Sequence, residues 1–226
     1  MAQTIRTVAE TGSTNDEVAA LARDGAPEGF WLRAERQNAG RGRQGKAWVS
    51  TRGNLHASTL VWLQPGDPPA PTLALVAAVA LHEAAVRHEP RAQIKWPNDL
   101  LVDGAKLAGI LLERQGDAVV IGFGVNLARH PADLDRPAAS LDPPVPADPF
   151  LKRLAAAFAA WLERWRVDGL APVGAAWLAG AHPIGTALAA GGAQGSFDGL
   201  DETGALRLRL ADGSLRVIHA GDVLLI

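Results

Sequence analysis

At 226 residues and 48% hydrophobic content, the chain is long enough for one domain with a real core, or one domain plus a small appendage. Its net charge of −2 supplies no global basic field for nucleic acid or an anionic membrane, so any anion binding has to come from local clusters. The absence of cysteine removes disulfides, zinc–sulfur sites and thiolate nucleophiles, and with them an acyltransferase of that kind.

The start, Met1-Ala2-Gln3-Thr4-Ile5-Arg6, has no apolar stretch of signal-peptide type. The longest apolar run, Leu73 to Leu81, is far short of the ~20 residues that span a bilayer. A cytoplasmic protein is expected, with no membrane partner. Residues 4–9 alternate and read as a strand. Thr11 to Asp16 turns into a helix carrying Val18, Leu21 and Ala22, with Ser13 and Asp16 in a capping arrangement and Gly25 at its end. Phe30 to Arg36 is a second strand, and it feeds a glycine-rich loop.

Leu55 to Leu63 reads as a buried strand, Pro65 to Pro71 as a loop, and 72–87 as a buried helix. Residues 93–114 read as a strand, a turn at Asp103-Gly104, and a second strand. Gln115-Gly116-Asp117 is a hairpin turn before the β-rich run 118–125, and 128–147 is a proline-rich loop. Asp148 is placed as the N-cap of the next helix, with Pro149 at its first position. Leu151, Leu154, Phe158, Trp161 and Trp165 form its core-facing stripe, and a short helix over 172–180 follows. After His182-Pro183, five short β-like runs separated by Gly and Asp turns suggest a small β-barrel.

The chemistry concentrates in Gln37-Asn38-Ala39-Gly40-Arg41-Gly42-Arg43-Gln44-Gly45-Lys46-Ala47-Trp48. Glycines allow close backbone approach to a ligand, and guanidinium groups offer forked donors to phosphate or carboxylate oxygens. Two better-known signatures fail in context. Gly40-x-Gly42-x-x-Gly45 matches the dinucleotide fingerprint, and Gly40-x-x-x-x-Gly45-Lys46 nearly makes a phosphate loop, but no helix follows either. Ala47 also stands where a magnesium-ligating hydroxyl is required. An Arg-Gly segment binding nucleic acid, with Trp48 stacking on a base, is the alternative from a different functional class. The chain has 18 arginines and only four lysines, and three of those, Lys46, Lys95 and Lys106, fall within one segment.

Further pieces lie at Lys95-Trp96-Pro97-Asn98-Asp99, where the proline interrupts a sheet ladder, and at Lys106-Leu107-Ala108-Gly109-Ile110-Leu111. Gly122-x-Gly124-x-Asn126 closes the series. Together with Ser13-Thr14-Asn15 and Gln37 to Trp48, these motifs resemble the biotin protein ligases over essentially the whole chain. The resemblance implies an α+β catalytic domain of the class II synthetase type on a mixed sheet (residues 1–181) and an SH3-like C-terminal β-barrel (182–226). The sequence begins at the catalytic strand, so the DNA-binding winged helix of some members is not expected, and no DNA partner with it.

The resemblance further implies an ATP-dependent ligase that makes biotinyl-5′-AMP. Biotin then passes to a lysine of a biotin carboxyl carrier protein. Mg²⁺ would accompany the nucleotide, with unknown ligands, and a homodimer is plausible from the family. Arg41, Lys106 and Asp99 are the expected catalytic residues. Biotin or its adenylate falls to Ser13, Thr14, Asn15, Gln37, Arg41, Gly42, Arg43 and Lys106. The nucleotide falls to Lys46, Trp48, Asn98 and Asn126. For Asn98 and Asp99 the nucleotide, the metal and the incoming lysine stay open, and no adenine contact is assigned. A lipoate protein ligase, performing the same chemistry on another acid, is the alternative among enzymes.

Overall fold

The computed structural model describes residues 4–131 and 137–226. Seven strands form one mixed sheet: β1 (Thr4–Thr11), β2 (Phe30–Gln37), β3 (Leu55–Trp62), β4 (Ala92–Lys95), β5 (Asp99–Val102), β6 (Ala105–Gln115) and β7 (Ala118–Val125). Their spatial order is β1-β2-β3-β7-β6-β5-β4, with β1 and β2 parallel and every other pair antiparallel. Helices α1 (Thr14–Arg23), α2 (Leu73–Ala85), α3 (Ala147–Asp168) and α4 (Leu170–Gly180) complete this part. Five further strands make a separate antiparallel sheet: β8 (Ala187–Ala190), β9 (Ala193–Leu200), β10 (Leu206–Arg209), β11 (Leu215–Ile218) and β12 (Val223–Leu225). The α+β class and the small C-terminal β-domain are therefore as expected.

Side-chain alternation along the central strands divides the large sheet into two unlike faces. On β3 and β7, Leu55, Ala57 and Val61 and Val119, Ile121, Phe123 and Val125 enter the main core with α2 and α3. Trp31 stacks on Phe123 at 5.4 Å, and Phe158 meets both rings edge-on at 5.9 and 6.1 Å. Burying each such side chain stabilises by about 1.5–3 kcal/mol. On the opposite face, α1 covers only one end, where Val18 and Ala22 pack on Leu32, Leu60 and Val120. The rest of that face carries glycines and polar groups, which is where a site can form.

The segment 93–114 folds differently from the two-strand reading. The chain reverses at a cis Trp96–Pro97 bond, so Lys95 pairs with Asp99 and three strands result. Proline, which lacks the ladder donor, sits in a turn rather than within a strand. Asp103 and Gly104 both have positive φ (50° and 79°), the turn that best suits a two-residue hairpin loop. Helix α3 also starts earlier than expected, with Pro146 rather than Asp148 at its N-cap. Asp148 instead lies in the first turn and accepts a 2.7 Å bond from Arg33 of β2. Pro149 fits there because the first-turn N–H groups have no intrahelical partner to lose. Trp161 is only partly buried, with its indole N–H on Glu83 of α2 at 2.9 Å.

The small sheet joins the same apolar core through Leu188, Phe197, Leu206 and Val223. Trp177 of α4 meets Phe197 at 6.2 Å, and Trp96 donates to Gly204 O at 3.2 Å.

His56 on β3 is 1% exposed, and burial holds its pKa down at about 4, opposed by the Thr51 carbonyl and aided by Arg33. His82 and His182 are lowered as well, in each case chiefly by burial. An unfolded histidine titrates near about 6.5, so between about pH 6.5 and 4 the unfolded chain binds more protons and stability falls as pH falls. Denaturant unfolding measured from pH 7 to 4.5 should show this slope. His56→Gln should flatten it, by on the order of 3 kcal/mol at most. An unchanged slope in that variant would contradict a neutral buried His56.

Candidate active site

The open face of the large sheet floors a cleft, the kind of concave surface that small-molecule sites occupy. Two cross-strand rows build the floor. Gly109, Gly124 and His56 align in one, and Leu111, Gly122 and Ser58 in the next. A Cβ on Gly122 would overlap the Asn15 amide, and one on Gly124 would overlap the Trp48 indole. These glycines therefore admit α1 on one side and the glycine loop on the other.

The loop after β2 folds back on itself. Gly42 N donates to Lys46 O at 2.7 Å and Trp48 N to Gly40 O at 2.9 Å. Gln44 and Gly45, with φ of 57° and 71°, make the reversal. A Cβ at Gly40 would lie 2.8 Å from Trp48 O and 2.9 Å from Gln37 Nε2, so glycine is required there. Trp48 is brought against Gly109 and Gly124, and its ring centroid lies 5.8 Å from Lys106 Nζ.

Twelve of the thirteen residues expected from sequence line this one cleft: Ser13, Thr14, Asn15, Gln37, Arg41, Gly42, Arg43, Lys46, Trp48, Asn98, Asp99 and Lys106. Asn126 does not. It borders an adjoining pocket behind the loop, shared with Trp48, Lys106, Pro131 and Ala138. Asn126 is 4% exposed, and its amide donates to Ala139 O at 2.9 Å and accepts from Asn54 at 3.4 Å. It thus ties together the segments flanking residues 132–136. Part of the proline-rich loop expected over 128–147 lies outside the described residues.

Ser13 occupies the N-cap position of α1 yet makes no side-chain capping bond. At that end of the cleft Thr14 N and Oγ1 both reach Gln37 Oε1, at 2.8 and 3.0 Å. Asn15 Nδ2 donates to Glu113 of β6 at 2.7 Å.

Each cation of the cleft is matched by a carboxylate. Arg41 makes a forked pair with Asp16 at 2.7 and 2.6 Å and reaches Glu113 at 3.3 Å. The Arg41 hydrogen bond holds the Asp16 carboxyl below its ordinary range, and Asp16 in turn raises Arg41. Lys46 contacts Asp222 of the C-terminal sheet's last turn at 2.9 Å, and that bond lowers Asp222. Arg43 reaches Asn98 Oδ1 at 3.3 Å and Gly221 O at 3.3 and 3.4 Å. Lys106 pairs with Asp99 at 2.5 Å, both nearly buried (14% and 10% exposed side chains). The C-terminal domain thus closes one side of the loop.

Sequence reasoning missed Asp16, Ser58, Glu113 and Asp222. Glu113 lies on a strand already assigned, and counting by twos from Gly109 would have put it on the open face, whereas Ser58 meets Gly122 only through the β3–β7 register. Asp222 sits in a Gly-Asp turn like several others in its domain and gave no signal.

The Biotin/lipoate A/B protein ligase family matches residues 11–126, and the Biotin protein ligase C terminal domain matches 187–225. A biotin–[acetyl-CoA-carboxylase] ligase of Paracoccus denitrificans is 42% identical, over 96% of this chain and 98% of its own. The bifunctional ligase/repressor BirA of Bacillus subtilis is 33% identical over 93% of this chain and 70% of its own. In fold, the chain is similar to the biotin protein ligase of Aquifex aeolicus in complex with biotin and ATP, with a TM-score of 0.88 at 23% identity over 100% of both chains. With both halves matched in order and a near-full-length relative at 42% identity, the chain belongs to the biotin protein ligases.

Proposed function

We propose that this chain activates biotin with ATP as biotinyl-5′-AMP and transfers the biotinyl group to a lysine of a biotin carboxyl carrier protein. Residues 1–181 carry the chemistry, and 182–226 contribute Asp222 to the clasp on the loop. The observation that carries the reading is that three kinds of group line one cleft: neutral hydrogen-bonding groups (Ser13, Thr14, Asn15, Gln37), the cations Arg41, Arg43, Lys46 and Lys106, and Trp48, which with Lys106 also lines an adjoining pocket. Biotin's ureido head needs the first, its carboxylate and the triphosphate need the second, and adenine suits the flat Trp48 wall with Asn126 and Ala138 nearby.

In the first step a biotin carboxylate oxygen attacks the α-phosphorus, the bond to the β-phosphate breaks, and pyrophosphate leaves. Two anions must meet, so fixed positive charge has to offset their repulsion. Lys106, Arg41 and Arg43 supply it, exchanging internal carboxylates for substrate oxygens, while Lys46 faces the departing phosphates. In the second step the acceptor lysine's amine attacks the acyl carbonyl, the acyl–oxygen bond breaks, and AMP leaves. The mixed anhydride is prone to hydrolysis, so the loop must keep water out between steps.

A magnesium ion delivered on phosphates needs one or two carboxylates rather than a full cage. No cluster of three or more acidic or histidine groups exists among the described residues. Asp99, beside Asn98 on the cleft wall, provides the single carboxylate such an ion requires. Those two residues would hold it, and when bound it would neutralise phosphate charge.

Pyrophosphate exchange into ATP tests the reading. Exchange should require biotin, and exchange with lipoate instead would select the lipoate ligase. No exchange with either acid, together with RNA binding that falls steeply with salt, would favour the Arg-Gly nucleic-acid reading. Lys106→Ala leaves Asp99 unpaired and should lose stability, and the folded fraction should exchange roughly 10- to 150-fold more slowly, as a charge-assisted contact of about 1.5–3 kcal/mol predicts. A wild-type rate in that variant removes Lys106 from the mechanism. Asp222→Asn should speed tryptic cleavage at Arg41, Arg43 or Lys46 in the ligand-free protein several-fold, with biotin and ATP restoring protection. Cleavage as slow as in wild type would mean that Asp222 does not restrain the loop.

A further inference from the structure

Ser58 is fully buried on β3, beneath the neutral end of the cleft. Its Oγ lies 2.7 Å from Thr14 Oγ1 and 2.6 Å from Asn15 Oδ1. Two neighbours fix the orientation of the groups around it. Thr14 N–H donates to Gln37 at 2.8 Å, so the Gln37 amide must present its oxygen there, leaving Nε2 toward Ser50 at 3.4 Å. Glu113, an acceptor, lies 2.7 Å from the Asn15 amide, so Asn15 must direct Nδ2 to Glu113 and its oxygen to Ser58.

Four oxygens therefore stand in a row: Gln37 Oε1, Thr14 Oγ1, Ser58 Oγ and Asn15 Oδ1. They make three contacts of 3.0, 2.7 and 2.6 Å. Only two protons, one on each hydroxyl, are available to fill them. One contact has to go without. Lone pairs facing each other at 2.6 or 2.7 Å repel more than at 3.0 Å, so the protons run from Thr14 to Ser58 and from Ser58 to Asn15. The contact left without a proton is the one between Thr14 and Gln37, and both residues line the cleft.

We infer that Ser58 is a positioning residue for ligand recognition. By drawing the Thr14 proton inward, it leaves no proton between Thr14 Oγ1 and Gln37 Oε1; Gln37 Oε1 already takes the Thr14 N–H, and each oxygen keeps a lone pair for an incoming donor. The cleft end is one donor short, and it selects a head group that brings N–H donors, such as a cyclic urea. A dithiolane ring carries no such donor and leaves the deficit standing. The inference rests on the biotin reading above and gives it a basis for discriminating biotin from lipoate. The sequence offered no trace of it, because Ser58 lies within a strand whose neighbours on either side are buried.

The test is calorimetric titration of wild type and Ser58→Ala with biotin, with ATP, and with the biotin analogue in which one ureido N–H is replaced by oxygen. Wild type should bind biotin at least tenfold tighter than the analogue. Ser58→Ala leaves one contact and one proton between Thr14 and Gln37, so the deficit disappears. The variant should bind biotin roughly tenfold more weakly, discriminate less between biotin and the analogue, and keep its ATP affinity. Ser58→Cys, nearly isosteric and a poor donor, should move the same way and serves if the alanine variant does not fold. An unchanged biotin-to-analogue ratio overturns the inference, and so does parallel loss of biotin and ATP binding. Wild-type protein that binds no biotin overturns the ligase reading itself.

Discussion

The constraint from which the site follows is the two-residue period of the central strands. Because β3, β6 and β7 alternate in step, one face can be filled by apolar side chains and the other left to glycine, serine and glutamate. The apolar face, under α2 and α3, holds the sheet rigid. The other can be almost bare over the cleft, since only its α1 end contributes apolar packing. Gly109, Gly122 and Gly124 weaken strands intrinsically, and the aromatic cluster of Trp31, Phe123 and Phe158 on the reverse side offsets that cost. Shifting any one strand by a residue would turn glycines into the core and leucines into the cleft.

Polar groups placed on such a floor are desolvated and must be satisfied. Most are, by hydrogen bonds at the α1 end and ion pairs beneath the loop, while Trp48 Nε1 and His56 Nδ1 are left without a partner. Asn15 is held at both ends, by Ser58 and Glu113, and Glu113 also takes Arg41. The neutral end of the cleft and its cationic loop are therefore linked through one carboxylate. The sequence places those parts 98 residues apart, which is the separation of Asn15 and Glu113.

Much of this was legible in the sequence, and the failures have physical causes. The order of most helices and strands, the small C-terminal sheet and the cationic character of the glycine loop all follow from periodicity, turn residues and local charge. The three strands between Ala92 and Gln115 were read as two, because a cis-proline reversal has no periodic signature and Asp99 to Val102 looked like a continuation. Asn126 came from a motif alone, and its burial and the bonds of its amide to backbone carbonyls are visible only in the structure. Ser58 and Asp222 were invisible for opposite reasons. One is a small residue whose importance comes from what lies across the sheet, and the other is a common turn residue that the docked C-terminal sheet brings to the loop.

The pairing of every cleft cation with an internal carboxylate bears on the energetics of the proposed ligase. A desolvated guanidinium or ammonium without a counter-charge would destabilise the empty protein, and the exposed members, such as Lys46 and Asp222, add only about 0–1 kcal/mol each. In the proposed reaction substrate anions would replace partners already present, and the gain on binding would be a difference between two sets of contacts. A single carboxylate such as biotin's offers little over Asp16 or Asp99. A triphosphate presents more charge and more acceptor oxygens than the carboxylates it displaces, so the exchange favours it. On this account the loop commits to the closed arrangement when both anions are in the cleft, which is when exclusion of water begins to matter.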